Sequence, residues 1–138
     1  MLELRGNKIA SLKGLHNAAQ LRELYLADNQ ITSFKALAKV PKLEKLHARK
    51  NKISDLAEFP DVSSIKYLNL RENQITKANL LSGIHNSVTI INLLANPISE
   101  ELADNTKKEV WMKFRQYQKI NKSEVTAEEK DEFDKEYK

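Results

Sequence analysis

Apolar positions along this chain recur in blocks rather than in long helical stripes. From residue 21 onward they fall at Leu21, Leu24, Leu26 and Ile31, with a polar Asn29 between the last two. The same figure returns at Leu43, Leu46, Ala48, Asn51 and Ile53, at Ile65, Leu68, Leu70, Asn73 and Ile75, and at Val88, Ile91, Leu93, Asn96 and Ile98. A shortened copy opens the chain at Leu2, Leu4, Asn7 and Ile9. The asparagines Asn7, Asn29, Asn51, Asn73 and Asn96 are spaced 22, 22, 22 and 23 residues apart. Inside each block the apolar residues alternate with a period of two, which predicts a short strand with one buried face. A second apolar set follows each asparagine. Leu12, Phe34, Leu56 and Ala78 form one column, Leu15, Leu37, Phe59 and Leu81 the next, and Ala18, Val40, Val62 and Ile84 a third.

A unit of this size cannot bury its apolar side alone, so copies must stack and share a core. The L-x-x-L-x-L-x-x-N-x-L/I pattern is that of leucine-rich repeats. The fold expected is an α/β solenoid: a curved right-handed coil with a parallel sheet on its concave side. The short back half of each unit leaves room for one 3₁₀ or helical turn on the convex side, and a C-terminal helical cap should close the coil. The repeated asparagine amides can donate and accept, so they are expected to form a structural ladder that satisfies backbone groups where each strand ends. Pro41 and Pro60 fall at turns between units, where a missing N–H costs little.

The pattern implies three segments: repeats over 1–98, a cap over 99–125 and an acidic helical tail over 126–138. In the cap, Thr106 and Glu109 have the spacing of a capping box. Val110, Trp111, Phe114 and Tyr117 then suggest a helical stripe, with Trp111 and Phe114 as the lid on the last core face and Ile120 continuing it. Thr126 and Glu129 offer a second capping box, leading into a helix with Phe133 and Tyr137 one turn apart. That helix reads equally as a docking segment or as a frayed tail. Met1 enters the first unit inside its strand, which suggests a fragment of a longer array or an edge covered by another chain.

Charge separates the same parts. Residues 1–98 carry 14 basic and 8 acidic side chains, and residues 99–138 carry 9 and 11. The basic excess of the repeats is too diffuse to point to nucleic acid. Cysteine is absent, which removes disulfides and thiolate metal sites and predicts an intracellular protein. The three glycines Gly6, Gly14 and Gly83 are far apart and form no phosphate loop, and His16, His47 and His85 lack metal-ligand spacing. No cofactor, metal, small-molecule substrate or catalytic group is expected.

What remains is a surface. Side chains two, four and six positions before each asparagine should line the concave face: Glu23, Tyr25, Lys45, His47, Arg49, Tyr67, Asn69, Arg71, Ile90 and Leu94 among them. Tyr and Arg are enriched where protein interfaces concentrate their binding energy. This composition predicts a protein-binding face suited to an acidic or amphipathic segment. Direct nucleic-acid binding would draw on Arg49, Arg71, Tyr25 and Tyr67, but that patch is small.

The 22-residue unit resembles the intracellular leucine-rich-repeat class typified by the regulatory subunit of protein phosphatase 1. "NPISEE", the aromatic helix and "INKSEVTAEE" resemble that class's C-terminal cap. The ordered words "LELRGNKI", "LYLADNQI", "LHARKNKI", "YLNLRENQI" and "LLANPI" resemble the leucine-rich-repeat protein of ciliary radial spokes. That resemblance implies a non-catalytic scaffold in the axoneme of a cilium or flagellum, holding other spoke subunits. Ala48 departs from the expected leucine. Other adaptors of the class remain alternatives: dynein-light-chain-like, phosphatase-regulator-like, or a spliceosomal partner of an RNA-binding protein.

Overall fold

The computed structural model of the chain describes residues 1–10, 12 and 19–136. Gly14, Leu15, His16, Ala18 and Tyr137 lie outside the described residues. Among those described, seven strands form one sheet in chain order. They are β1 (Leu2–Glu3), β2 (Glu23–Tyr25), β3 (Lys45–His47), β4 (Tyr67–Asn69), β5 (Ile90–Asn92), β6 (Lys119–Ile120) and β7 (Ser123–Glu124). Pairing is parallel from β1 to β6, and β7 turns back antiparallel on β6.

The register follows the repeat. Leu24, Leu46, Leu68, Ile91 and Ile120 stand opposite one another across successive strands, all without solvent exposure. Leu26, Ala48, Leu70 and Leu93 form a second buried column, and Ile31, Ile53, Ile75 and Ile98 a third. From the other side come Phe34, Leu56 and Ala78, then Leu37, Phe59 and Leu81, then Val40, Val62 and Ile84. The core is therefore one continuous apolar rod, and each fully buried large side chain contributes about 1.5–3 kcal/mol of transfer free energy. Convex-side 3₁₀ turns occupy Lys35–Lys39 and Ala78–Leu81.

Each coil turns its corner at the residue before the repeated asparagine. Gly6, Asp28, Lys50, Glu72 and Ala95 all take positive φ, from 59° to 73°. A bend this sharp turns backbone carbonyls toward the interior of the coil, and the asparagines meet them. Asn51 Nδ2 donates to the carbonyls of Leu26, Ala48 and Arg49 at 2.9, 3.0 and 3.3 Å. Its Oδ1 accepts from Ile31 N at 3.0 Å. Asn29, Asn73 and Asn96 repeat this set, whereas the exposed Asn7 Nδ2 donates to the carbonyls of Leu4 and Arg5 in its own coil.

After β5 come α1 (Pro97–Leu102), a 3₁₀ turn (Ala103–Asn105) and α2 (Thr106–Lys113), and beyond the hairpin α3 (Ala127–Glu136). Two cap readings need correction. Thr106 and Glu109 form no capping box: Thr106 is buried inside α2, and its hydroxyl donates to Ala103 O at 2.8 Å. The reason is that the 3₁₀ turn delivers the chain already helical at Asn105, so no extended residue exists to act as N-cap. The aromatic stripe is not wholly helical either. α2 ends at Lys113, Phe114 is extended and half-buried, and Tyr117 is buried in the loop beyond. Ile120 belongs to β6, so the sheet itself runs on into the cap. The second capping box does form. Thr126 N donates to Glu129 Oε1, and Glu129 N donates to Thr126 Oγ1, both at 3.1 Å.

Candidate functional site

Strand alternation leaves the first and third residues of β2 to β5 on the open face, and the register lines them up. Glu23, Lys45, Tyr67 and Ile90 make one row. Tyr25, His47, Asn69 and Asn92 make the next. Two residues further along the chain, Ala27, Arg49, Arg71 and Leu94 edge the face at the coil corner, with backbone bonds such as Lys50 N to Arg71 O continuing the pairing.

The middle of this face is preorganised by stacking. The rings of Tyr25 and His47 lie 4.1 Å apart and nearly parallel, at 6°. His47 meets Tyr67 at 5.0 Å. One Glu23 oxygen ties the stack down: the Tyr25 hydroxyl donates to it, and His47 Nε2 lies 3.2 Å away. The Tyr25 hydroxyl chiefly holds the Glu23 carboxyl below its usual value against the opposing effect of desolvation, with a lesser contribution from His47. The same hydrogen bond pushes the Tyr25 phenol up. Lys45 is exposed beside this cluster.

At the corner, Arg49 Nε donates to Glu72 Oε1 at 3.1 Å, and Arg71 Nε stands 3.8 Å from the same oxygen. Arg71 Nε is buried yet has no hydrogen-bond acceptor. Asn69 and Asn92 turn their side-chain oxygens onto the backbone N–H groups of Arg71 and Leu94, both at 3.0 Å, so they stiffen the corner. Ile90 and Leu94 are half-buried and give the C-terminal end of the face an apolar character.

The structure thus brings Glu23, Tyr25, Lys45, His47, Arg49, Tyr67, Asn69, Arg71, Ile90 and Leu94 onto one surface. Glu72 escaped the sequence reading because it sits at the corner, outside the two-residue alternation. His85 serves elsewhere: its Nδ1 accepts from Ser87 N, and Nε2 lies 3.0 Å from Asp61. Trp111 is buried under α3, 6.0 Å from Phe133, with the Arg115 guanidinium 4.2 Å over its ring. The Lys107–Glu129 pair, at 2.7 Å, ties α3 to α2, and the Arg115–Asp134 pair, at 2.8 Å, ties it to the segment just beyond α2. Burial pushes the Tyr117 hydroxyl far up. Among the described residues no cluster of metal-ligating side chains occurs, and no helix is long and apolar enough to cross a membrane.

Coil, ladder and open face together make a leucine-rich-repeat-type solenoid closed by a helical cap. The family described as Leucine Rich repeats (2 copies) matches residues 19–61. A chain of the crystallised SNF/U2A′ complex of Drosophila melanogaster is similar in structure, with a TM-score of 0.86 and 22% identity. That likeness covers 96% of this chain and 78% of the other, so it takes in the cap. An internalin (inlF) from Listeria monocytogenes strain 4b F2365 is similar at a TM-score of 0.59 and 23% identity, over 82% of this chain and 32% of the internalin. No curated protein sequence matches the chain.

Proposed function

We propose that this chain is a non-catalytic adaptor that holds a segment of another protein on its concave face, as a structural subunit of the radial spoke in a ciliary or flagellar axoneme. The observation that carries the adaptor role is the ring cluster in which Tyr25 stacks on His47 and Tyr67 tilts against it, flanked by Arg49 and Arg71. Rings already held in place lose little entropy on binding, and Tyr and Arg are the residues on which interface energy concentrates. The ordered strand words support the spoke assignment, and with it a cytoplasmic, cytoskeletal location. In this reading residues 1–98 carry the face, 99–125 close the core, and 126–138 are an acidic helix braced on the cap. The partners are proteins, not nucleic acid, membrane or small molecules.

A second reading is supported by the likeness to a chain of the SNF/U2A′ complex, cap included. Here the chain is the leucine-rich-repeat half of a two-protein complex, as a spliceosomal partner of an RNA-binding protein. One experiment separates the two. Tagged chain is used to capture partners from ciliated cells and isolated axonemes, beside an Arg49→Glu/Arg71→Glu variant. Recovery of radial-spoke subunits at constant stoichiometry, lost with the variant, is the expected outcome. Recovery of splicing proteins alone would replace the spoke assignment, and capture indifferent to both charge reversals would remove the concave face from the proposal.

A further inference from the structure

At the arginine-bearing corner of the open face, a single oxygen of Glu72 faces both guanidiniums. The left-handed backbone of Glu72, φ 59°, follows from the coil corner, so the carboxylate is placed there by the fold. It satisfies the arginines incompletely. Arg49 receives one hydrogen bond, and Arg71 Nε, 3.8 Å away and shielded from water, receives none. A guanidinium has five N–H donors in a planar fork that matches a carboxylate in pairs. Among the described residues the terminal nitrogens of Arg49 and Arg71 find no partner. Two cations share one carboxylate, so the corner keeps a positive charge and unused donors beside the aromatic stack.

From this arrangement we infer that Glu72 is an internal stand-in for a partner's carboxylates, and that the occupant of the face is a helical protein segment carrying two acidic side chains one turn apart. The inference rests on the concave-face reading proposed above. Adjacent strands of a parallel sheet run about 4.8 Å apart. Arg49 and Arg71 belong to adjacent coils, so their stems leave the sheet at that spacing. Acidic residues at i and i+4 on a helix stand about 5–6 Å apart, which lets each take one guanidinium when the helix lies across the strands. The helix then rests its apolar flank on Tyr67, Ile90 and Leu94, along the half-buried rows next to the arginines. On arrival it displaces Glu72, which swings to solvent. Glu72 thereby sets specificity: a neutral or basic segment leaves it in place and gains only the apolar contact.

The test uses the whole chain and three synthetic amphipathic helices that differ only at two positions, i and i+4, with Glu/Glu, Gln/Gln or Lys/Lys there. Binding is followed by fluorescence anisotropy for the unmodified chain and for Glu72→Gln, Arg49→Ala/Arg71→Ala and Tyr67→Ala. The expected result is that the Glu/Glu helix binds tightest. Glu72→Gln should tighten it about threefold, the scale of an exposed ion pair, and leave the Gln/Gln helix unchanged. The arginine double variant should abolish the difference between the two helices. Equal binding of Glu/Glu and Gln/Gln helices, with no effect of Glu72→Gln but weakening by Tyr67→Ala, would overturn the stand-in and leave the concave face as a docking surface. Binding by none of the helices, or binding indifferent to Tyr67→Ala as well, would overturn both.

Discussion

Single residues carry unequal loads in this coil even where the repeat writes them identically. Asn51 and Asn7 occupy the same place in the pattern, but the Asn51 side chain is buried and spans two coils, while the exposed Asn7 side chain bonds within its own coil. Asn51→Ala strands buried carbonyls and the Ile31 N–H, and should cost about 3 kcal/mol. Asn7→Ala, whose partners can turn to water, should cost less than about 1 kcal/mol. Urea unfolding of the two variants measures the contrast. Glu23 gives a second residue-scale expectation. Its carboxyl is depressed chiefly by the Tyr25 hydroxyl, so the bond favours the folded state above the ordinary carboxylate pKa of about 4.3 and loses that effect as pH falls through the lower folded value. Tyr25→Phe should return the Glu23 titration toward that ordinary value, as read from its side-chain carboxyl carbon by NMR.

At the scale of elements, the strands and convex turns were legible because each is dictated by its own residues: period-two leucines, then a short apolar turn. The cap was less so. Thr106–Glu109 has the letters of a capping box, but the preceding 3₁₀ turn removes the extended residue that a box requires. The β6–β7 hairpin has strands of only two residues each and almost no pattern to read. Its turn residues Asn121 and Lys122 have φ of 53° and 68°, the two left-handed positions of a type I′ hairpin. Lysine is poorly suited there, so Lys122→Gly should raise stability by about 0.5 kcal/mol, net of the entropy a glycine costs. Thermal unfolding would show this as a higher Tm. Gly83 is the opposite case. A Cβ there would stand 1.9 Å from Leu56 O and 2.8 Å from Ala57 Cα, both backbone atoms. Gly83→Ala should therefore destabilise by about 2 kcal/mol or more, since the turn must move apart, and denaturant titration will read it.

For the whole molecule, one sheet and one apolar rod run from the first strand into the cap. In such a stack each unit is held by its neighbours, and the cap is held by the fifth strand through β6. Trp111 is the chain's single tryptophan and lies buried in that cap. Its fluorescence and the far-ultraviolet circular dichroism of the coil should lose their native signals at the same urea concentration. Separated transitions would show that the cap melts apart from the repeats. The Arg49→Glu/Arg71→Glu variant should keep the two transitions coincident but lower their midpoint, because it sets two further carboxylates beside Glu72 while leaving the apolar core unchanged.

The amino-acid sequence by itself determined the repeat length, the strand positions, which side chains enter the core and which rows face outward. These follow from local periodicity: a residue's place in a short strand settles its side, whatever surrounds it. Only the tertiary structure decided the rest. It stacked Tyr25 on His47 over Glu23, set Glu72 between two arginines from neighbouring coils, and carried the sheet on through Ile120. Apart from the Tyr25–Glu23 bond within β2, those contacts join residues at least one coil apart or at a left-handed corner, where alternation along the chain carries no information about which side chains meet.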